Sequence, residues 1–204
     1  MTIQRPYTNA FLLGTLVVGG ACAEPERLIT AVDRTAHLAS AVPWSGNPAL
    51  ARLLAQIRDT TVAFHDVEVA RAAGYRPSQA GCEAATVGAM GIHYGHGGLL
   101  GIVPGVRPTT GNNSVIDPLR PEILLYEPQP DGRLRFVGIE YVVYRAAWDA
   151  AHPGQLPTLL GIPFDQKFGP EAHGHADHYE LHVWLWRHNP LGMFAPWNPK
   201  VSCP

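Results

Sequence analysis

Charge is scarce in this 204-residue chain: 16% of residues are Asp, Glu, Lys or Arg, with 15 basic against 17 acidic. Neither sign predominates, so the sequence offers no electrostatic footprint for nucleic acid or an anionic membrane surface. Long apolar runs are missing as well. The most apolar stretch, residues 10–18, falls well short of the roughly 20 residues a membrane-spanning helix needs. Cysteine is limited to three residues. There is no glycine-rich phosphate loop, no G-x-S-x-G elbow and no C-x-x-C-H haem motif.

What is plentiful is glycine (21), proline (19) and histidine (10). Gly and Pro together far exceed their usual share of about 12%, so many turns are expected. A hydrophobic content of 46% excludes wholesale disorder.

Residues 1–23 read as a signal peptide. Arg5 precedes the apolar run Ala10-Phe-Leu-Leu-Gly-Thr-Leu-Val-Val18, and the small residues Gly19-Gly20-Ala21-Cys22-Ala23 follow. Two exits fit. Ala21-Cys22-Ala23 is an A-x-A cleavage site giving a mature start at Glu24. Alternatively Cys22 becomes the acylated first residue of a lipid-anchored protein, the one route to a membrane. Both place the chain outside the cytoplasm: periplasmic, cell-surface or secreted. There, Cys82 and Cys203 are expected to form a disulfide closing a loop of about 120 residues. Two separate buried thiols are the alternative.

Residues 24–45 read as an extended leader and 46–204 as a single globular domain. Asn47-Pro48 opens a helix carried to Ala73 by Leu50, Leu53, Leu54, Ile57, Thr61 and Phe64, with Gly74 as its stop. After Pro77, short β-rich runs alternate with Gly/Pro/Asn turns. The clearest are 122–127 and 134–144, joined by the turn Pro128-Gln-Pro-Asp-Gly132, and a last strand over 179–186. The fold class expected is α+β: one long N-terminal helix packed on a curved antiparallel sheet or small β-barrel.

Glu140 sits within Phe136-Val-Gly-Ile-Glu-Tyr-Val-Val-Tyr144, a strand apolar on both faces. A carboxylate buried there is costly unless paired, hydrogen-bonded or bound to a cation. By period two it shares its face with Leu134, Phe136, Gly138, Val142 and Tyr144. His182 shares a strand face with Glu180, Trp184 and Trp186. His93 lies between small residues in Gly91-Ile-His-Tyr-Gly-His-Gly-Gly98, with His96 read as a loop residue. Together His93, Glu140 and His182 make a two-histidine, one-carboxylate set that suits Zn, Mn or Fe. Glu122 is the expected fourth ligand or supporting base, and His65 could close the site from the helix. Each has an ordinary alternative: a satisfied core histidine, or an acid in a structural network. The tract His173-Gly-His-Ala-Asp-His178 reads either as a loose surface metal site or as a solvated loop. The aromatics Tyr179, Trp184, Trp186, Phe194 and Trp197 could wall a small-ligand pocket or simply pack the core.

The strings Gly88-Ala-Met-Gly-Ile-His-Tyr94, Arg120-Pro-Glu-Ile-Leu-Leu-Tyr-Glu-Pro128, Val137-Gly-Ile-Glu-Tyr141, Leu181-His-Val-Trp-Leu-Trp186, Asn189-Pro-Leu-Gly-Met-Phe194 and Trp197-Asn-Pro-Lys-Val-Ser-Cys203 resemble a group of secreted bacterial proteins with no assigned activity. The likeness spans roughly residues 60–203. It implies export and a single domain, and supplies no chemistry. The order His, Glu, His is similar to that of cupins as a fold-level analogy, although the spacing departs from both cupin motifs. The expectation is an exported protein with a divalent metal in a β-barrel interior, whether or not it is an enzyme. The alternative is a non-catalytic small-ligand-binding or structural envelope protein with a Trp-lined pocket.

Overall fold

The computed structural model describes residues 47–204, apart from 104, 106–108 and 173–174. The signal segment expected over 1–23, the leader over 24–45 and the lipid-anchor candidate Cys22 lie outside the described residues, as does His173.

Asn47 caps the first helix, α1 (Pro48–Thr61). Its side-chain oxygen accepts from the backbone N–H groups of Ala49 and Leu50, both at 3.1 Å. Leu50, Leu54, Ile57 and Thr61 form its buried stripe. The continuous helix expected to Ala73 is not what forms. The Thr60 and Thr61 hydroxyls donate back to the Ile57 carbonyl at 3.1 and 2.6 Å, which bends a helix. A 3-10 turn follows over Val62–His65. Asp66 is extended and starts a second helix, α2 (Val67–Ala72), by accepting from Glu68 N–H at 2.9 Å. One long helix is therefore corrected to two short ones around a corner.

The strands are β1 (Tyr75–Ala85), β2 (Gly88–His96), β3 (Ile123–Pro128), β4 (Leu134–Tyr144), β5 (Thr158–Leu159), β6 (Ile162–Pro163), β7 (Asp165–Lys167) and β8 (His178–Val183). Short helices α3 (Gly97–Leu100) and α4 (Arg145–Ala151) follow β2 and β4. Six strands form one antiparallel sheet in the order β1-β2-β3-β4-β8-β7, and β5 and β6 pair separately. The fold is α+β with a curved sheet. In a flat sheet β2 and β8 would stand about 14 Å apart, three strand spacings. Side chains from both nonetheless converge within one cluster, so the sheet curls into a half-barrel, with β1 and β7 as its two edges.

One sheet face packs on the helices. Leu124, Tyr126, Ile139, Tyr141, Val143, Leu181 and Val183 join Leu50, Leu54 and Ile57 in the main core. The other face is concave and carries a smaller core of Ala89, Leu125, Val137, Trp184 and Val201. A register shift explains one departure from strict alternation. Leu125 opposes Gly138 but Tyr126 opposes Phe136, leaving Val137 as the extra residue of a bulge. Phe136 is thereby turned from the face of Glu140, where period two places it, to the helix side against Tyr126.

The C-terminal tail closes the structure. Cys203 is disulfide-bonded to Cys82 on β1, 121 residues away. Asn198 forms backbone hydrogen bonds with Ala89 in both directions at 3.1 Å. The disulfide fits an oxidising environment. Among the described residues no helix is long and apolar enough to cross a membrane.

Candidate metal centre

On β4, Glu140 lies opposite Ile123 of β3 and His182 of β8. On β2, His93 lies opposite Leu125, which in turn opposes Gly138, two residues before Glu140. Facing residues and i,i+2 neighbours share a sheet face. The ladder thus delivers all three side chains to the concave side, and the curl brings them together. One ligand atom from each lies within 4.8 Å of the others. All three are buried, His182 completely.

Both histidines aim the same ring nitrogen at the shared carboxylate. His93 Nε2 is 3.3 Å from Glu140 Oε2, and His182 Nε2 is 3.9 Å from it. Their other nitrogens each face a different acid. His93 Nδ1 is 3.2 Å from Glu83 Oε1 on β1. His182 Nδ1 is 3.7 Å from Glu180 Oε1 on β8. Glu180 is itself held by Lys167 Nζ at 3.2 Å and His178 Nε2 at 3.3 Å. The chain of contacts ends at the Ala176 carbonyl, 2.9 Å from His178 Nδ1.

Several of these contacts lack hydrogen-bond geometry. His93 Nδ1, Glu140 Oε2, Glu180 Oε1 and both ring nitrogens of His182 are buried without a hydrogen bond. Among the described residues only three other buried side-chain atoms share that condition. Orphaned polar atoms are rare in folded proteins and mark strain, catalysis or an absent ion or water.

The local field is negative. Three carboxylates (Glu83, Glu140 and Glu180) stand beside the two imidazoles, and Lys167 pairs with Glu180. Burial disfavours a charged His93, but Glu140 and Glu83 outweigh it and push the imidazole up to about 10. Burial favours a neutral Glu180, yet Lys167 and the imidazoles of His178 and His182 hold its carboxyl well below the usual range.

A cavity of about 220 Å³ opens beside the cluster. His93, Glu140, Glu180 and His178 form one part of its wall. Leu100, Ile102, Ile123, Val142 and Tyr144 form another. His182 lies behind the wall and stacks on Trp184 at 6.1 Å and 17°. Gly138 permits that packing. A Cβ there would stand 2.9 Å from the Val183 carbonyl oxygen and 3.3 Å from the Trp184 ring.

Other expected participants lie elsewhere. Glu122, the expected fourth ligand or supporting base, is not among the residues whose ligand atoms converge. Its Oε1 accepts from Asn113 Nδ2 at 3.0 Å and its Oε2 from Val142 N–H at 3.1 Å. His65 packs edge-on against Trp186 and Phe136 on the helix side of the sheet, the face opposite the cluster. His96 is not a loop residue: it ends β2 and its Nδ1 accepts from Leu99 N–H at 3.1 Å, capping α3. His175 and His178 of the histidine tract line the cavity. Among the described residues no tryptophan lines that cavity. Trp184 spends its Nε1–H on the Ala195 carbonyl at 2.6 Å, and Trp186 joins the main core after β8 ends at Val183. Sequence reading missed Glu83 and Lys167 altogether, and noted Glu180 only as a neighbour of His182.

No protein family, curated protein or solved structure matches the chain.

Proposed function

We propose that this is an exported protein that holds a divalent metal ion through His93, Glu140 and His182, with the cavity as the approach to it. One observation carries the reading: a histidine pair and a carboxylate converge in a buried cluster, and Glu140 Oε2 and His182 Nε2 at its centre have no hydrogen bond. Two ligands of one ion, each at about 2.1 Å, stand roughly 3–4 Å apart. The 3.3 and 3.9 Å separations around Glu140 Oε2 match that spacing. Glu140, between the two imidazoles, supplies charge that a divalent cation neutralises. Glu83 and Glu180 fit the role of acids that orient metal-bound histidines through the far ring nitrogen.

Two imidazoles and one carboxylate suit Zn, Mn or Fe. A divalent ion there supplies Lewis-acid chemistry to whatever enters the cavity. The protein's own part is to set an acid beside the far nitrogen of each histidine and to line the approach partly with aliphatic side chains. The test is metal content by mass spectrometry of the purified protein, before and after chelation and reloading. Stoichiometric metal in the wild type, lost in a folded His182→Ala variant, is the expected outcome.

A second reading has its own observation. His93 stands between two carboxylates at 3.2 and 3.3 Å, an arrangement an imidazolium satisfies without any metal. The cluster would then be an ion-pair network holding β1, β2 and β4 together in a structural or ligand-binding envelope protein. A wild type that neither carries nor takes up metal decides for this reading.

Export is supported by the residues over 10–23 and by the disulfide. Labelled palmitate incorporated in the wild type and lost in Cys22→Ser would establish the lipid anchor. Absence of label in the wild type assigns Cys22 to a cleaved signal peptide.

A further inference from the structure

His93, Glu140 and His182 are all buried, so an ion must travel inward to reach them. Taking a divalent cation past hydrocarbon without ligands is prohibitive, and its route must supply them. The cavity has two kinds of wall. Leu100 and Ile102 are aliphatic, and Ile123 and Val142 flank Glu140 on the sheet. The β8 side instead carries His178 and Glu180, with His175 just before that strand.

Register sets these groups in order. On β8, His178 lies opposite Tyr144, Glu180 opposite Val142 and His182 opposite Glu140. Alternate residues share a face, so His178, Glu180 and His182 make a run of ligand-type side chains along the concave side, about 6.5 Å per step. His178 Nε2 stands 3.3 Å from Glu180 Oε2, a separation that two ligands of one ion take. Lys167 and Asp165 face this pair from β7. Glu180 Oε1 holds Lys167 at 3.2 Å, which leaves Oε2 to His178, and Asp165 attracts Lys167 as well. Arg76, a cation in the cavity wall, stands on β1 at the other edge of the sheet. His175 is exposed and lines the same cavity, so it marks where the cavity meets solvent. Its ring lies 6.2 Å from that of His178. Its backbone is pinned, since its N–H donates to the Ala172 carbonyl at 2.9 Å and the N–H of Ala176 to the Thr109 carbonyl at 2.8 Å.

We propose that His175, His178 and Glu180 form an outer, transient site for the divalent cation, through which it passes from solvent to His93, Glu140 and His182. The inference rests on the metal reading above and adds the route of entry to it. His175 takes the ion at the rim, and His178 with Glu180 holds it next. Glu180 and Glu140 are diagonal neighbours on adjacent strands, a gap that long side chains span. A residue that serves only the route speeds entry and exit alike and leaves the equilibrium unchanged.

The test is the rate of zinc uptake by the chelated full chain, read with a chromogenic indicator in stopped flow. The rate of loss to excess chelator and the zinc content at equilibrium are measured on the same samples. His175→Ala is expected to load about tenfold more slowly, equivalent to about 1.4 kcal/mol of added barrier, and to unload more slowly by the same factor. Its equilibrium affinity and zinc content stay at the wild-type values. His175→Gln, which keeps the bulk and polarity of the side chain but is a poor ligand, should behave as His175→Ala does. His65→Ala, which removes an exposed histidine from the opposite side of the sheet, should load at the wild-type rate. Wild-type loading rates in both His175 variants overturn this inference alone, and so does equal slowing in His65→Ala. Weaker affinity through faster loss, with uptake unchanged, also overturns it, because His175 would then hold the resident ion. Zinc absent from the wild type after reloading overturns the metal reading and this inference with it.

Discussion

A histidine has two nitrogens, and its usefulness as a ligand depends on what the second one meets. His93 and His182 both meet a carboxylate, from Glu83 and Glu180 respectively. Replacing such an outer carboxylate commonly costs about 10–100-fold in metal affinity. Glu83→Gln is the cleaner probe, since Glu180 also holds Lys167 and His178. Glu83→Gln should weaken zinc binding by that factor in competition with a chromogenic chelator, at unchanged stoichiometry. Equal affinity in variant and wild type would reduce Glu83 to a bystander. At this scale the inner three residues were legible, because an acid or imidazole inside an apolar strand is conspicuous wherever the strand folds. Their supports were not. Glu83 shares its face with His93 only through a β1 pairing interrupted by two register shifts. Lys167 belongs to a three-residue strand with no pattern to read.

Between residue and fold stand the elements, and here Glu122 matters although it stands outside the converging group. It joins three segments: its two oxygens accept from Asn113 in the long loop and from Val142 on β4, while it leads into β3. Asn113 Nδ2 also donates to the Val142 carbonyl at 2.7 Å. Burial pushes the Glu122 carboxyl up to about 8, against the opposing pull of those donors. An acid whose pKa is raised on folding holds its proton in the native state and releases it when unfolded. Its contribution is complete below the unfolded value, near pH 4.5, and is lost as pH rises through 8. Thermal midpoints should therefore fall between about pH 5 and 8 by an amount worth about 1–3 kcal/mol. Glu122→Gln should flatten that slope; a parallel slope in the variant would place the titration elsewhere. Strands β3, β4 and β8 and the turn between β3 and β4 were readable from hydrophobic pattern and turn residues. The break at Thr61–Asp66 was not, since hydrophobic spacing continues through it and only the threonine hydroxyls and the Asp66 cap mark the corner. The bulge at Val137 was hidden for a similar reason, as its cause is the partner strand.

For the molecule as a whole, the disulfide is the longest-range tie. Bridging Cys82 and Cys203 removes freedom from an unfolded loop of more than a hundred residues, worth about 2–4 kcal/mol in typical cases. Cys82→Ser should lower the melting temperature by about 5–15 °C for a chain of this size. An unchanged midpoint would mean that the tail is held without the bond. The α+β class and the pairing of these two cysteines were open to inference from sequence. The half-barrel was not, since strand order and curl arise from pairings between segments far apart in the chain.

The opposite rims of the curled sheet are not hydrogen-bonded to one another, yet each extends one side chain inward. Glu83 comes from β1 and Lys167, by way of Glu180, from β7. Both hands end on the same pair of imidazoles. An ion between those imidazoles would complete a hoop across the open side of the trough, linking two edge strands that do not pair with each other. Loading would then stiffen the trough across its open side.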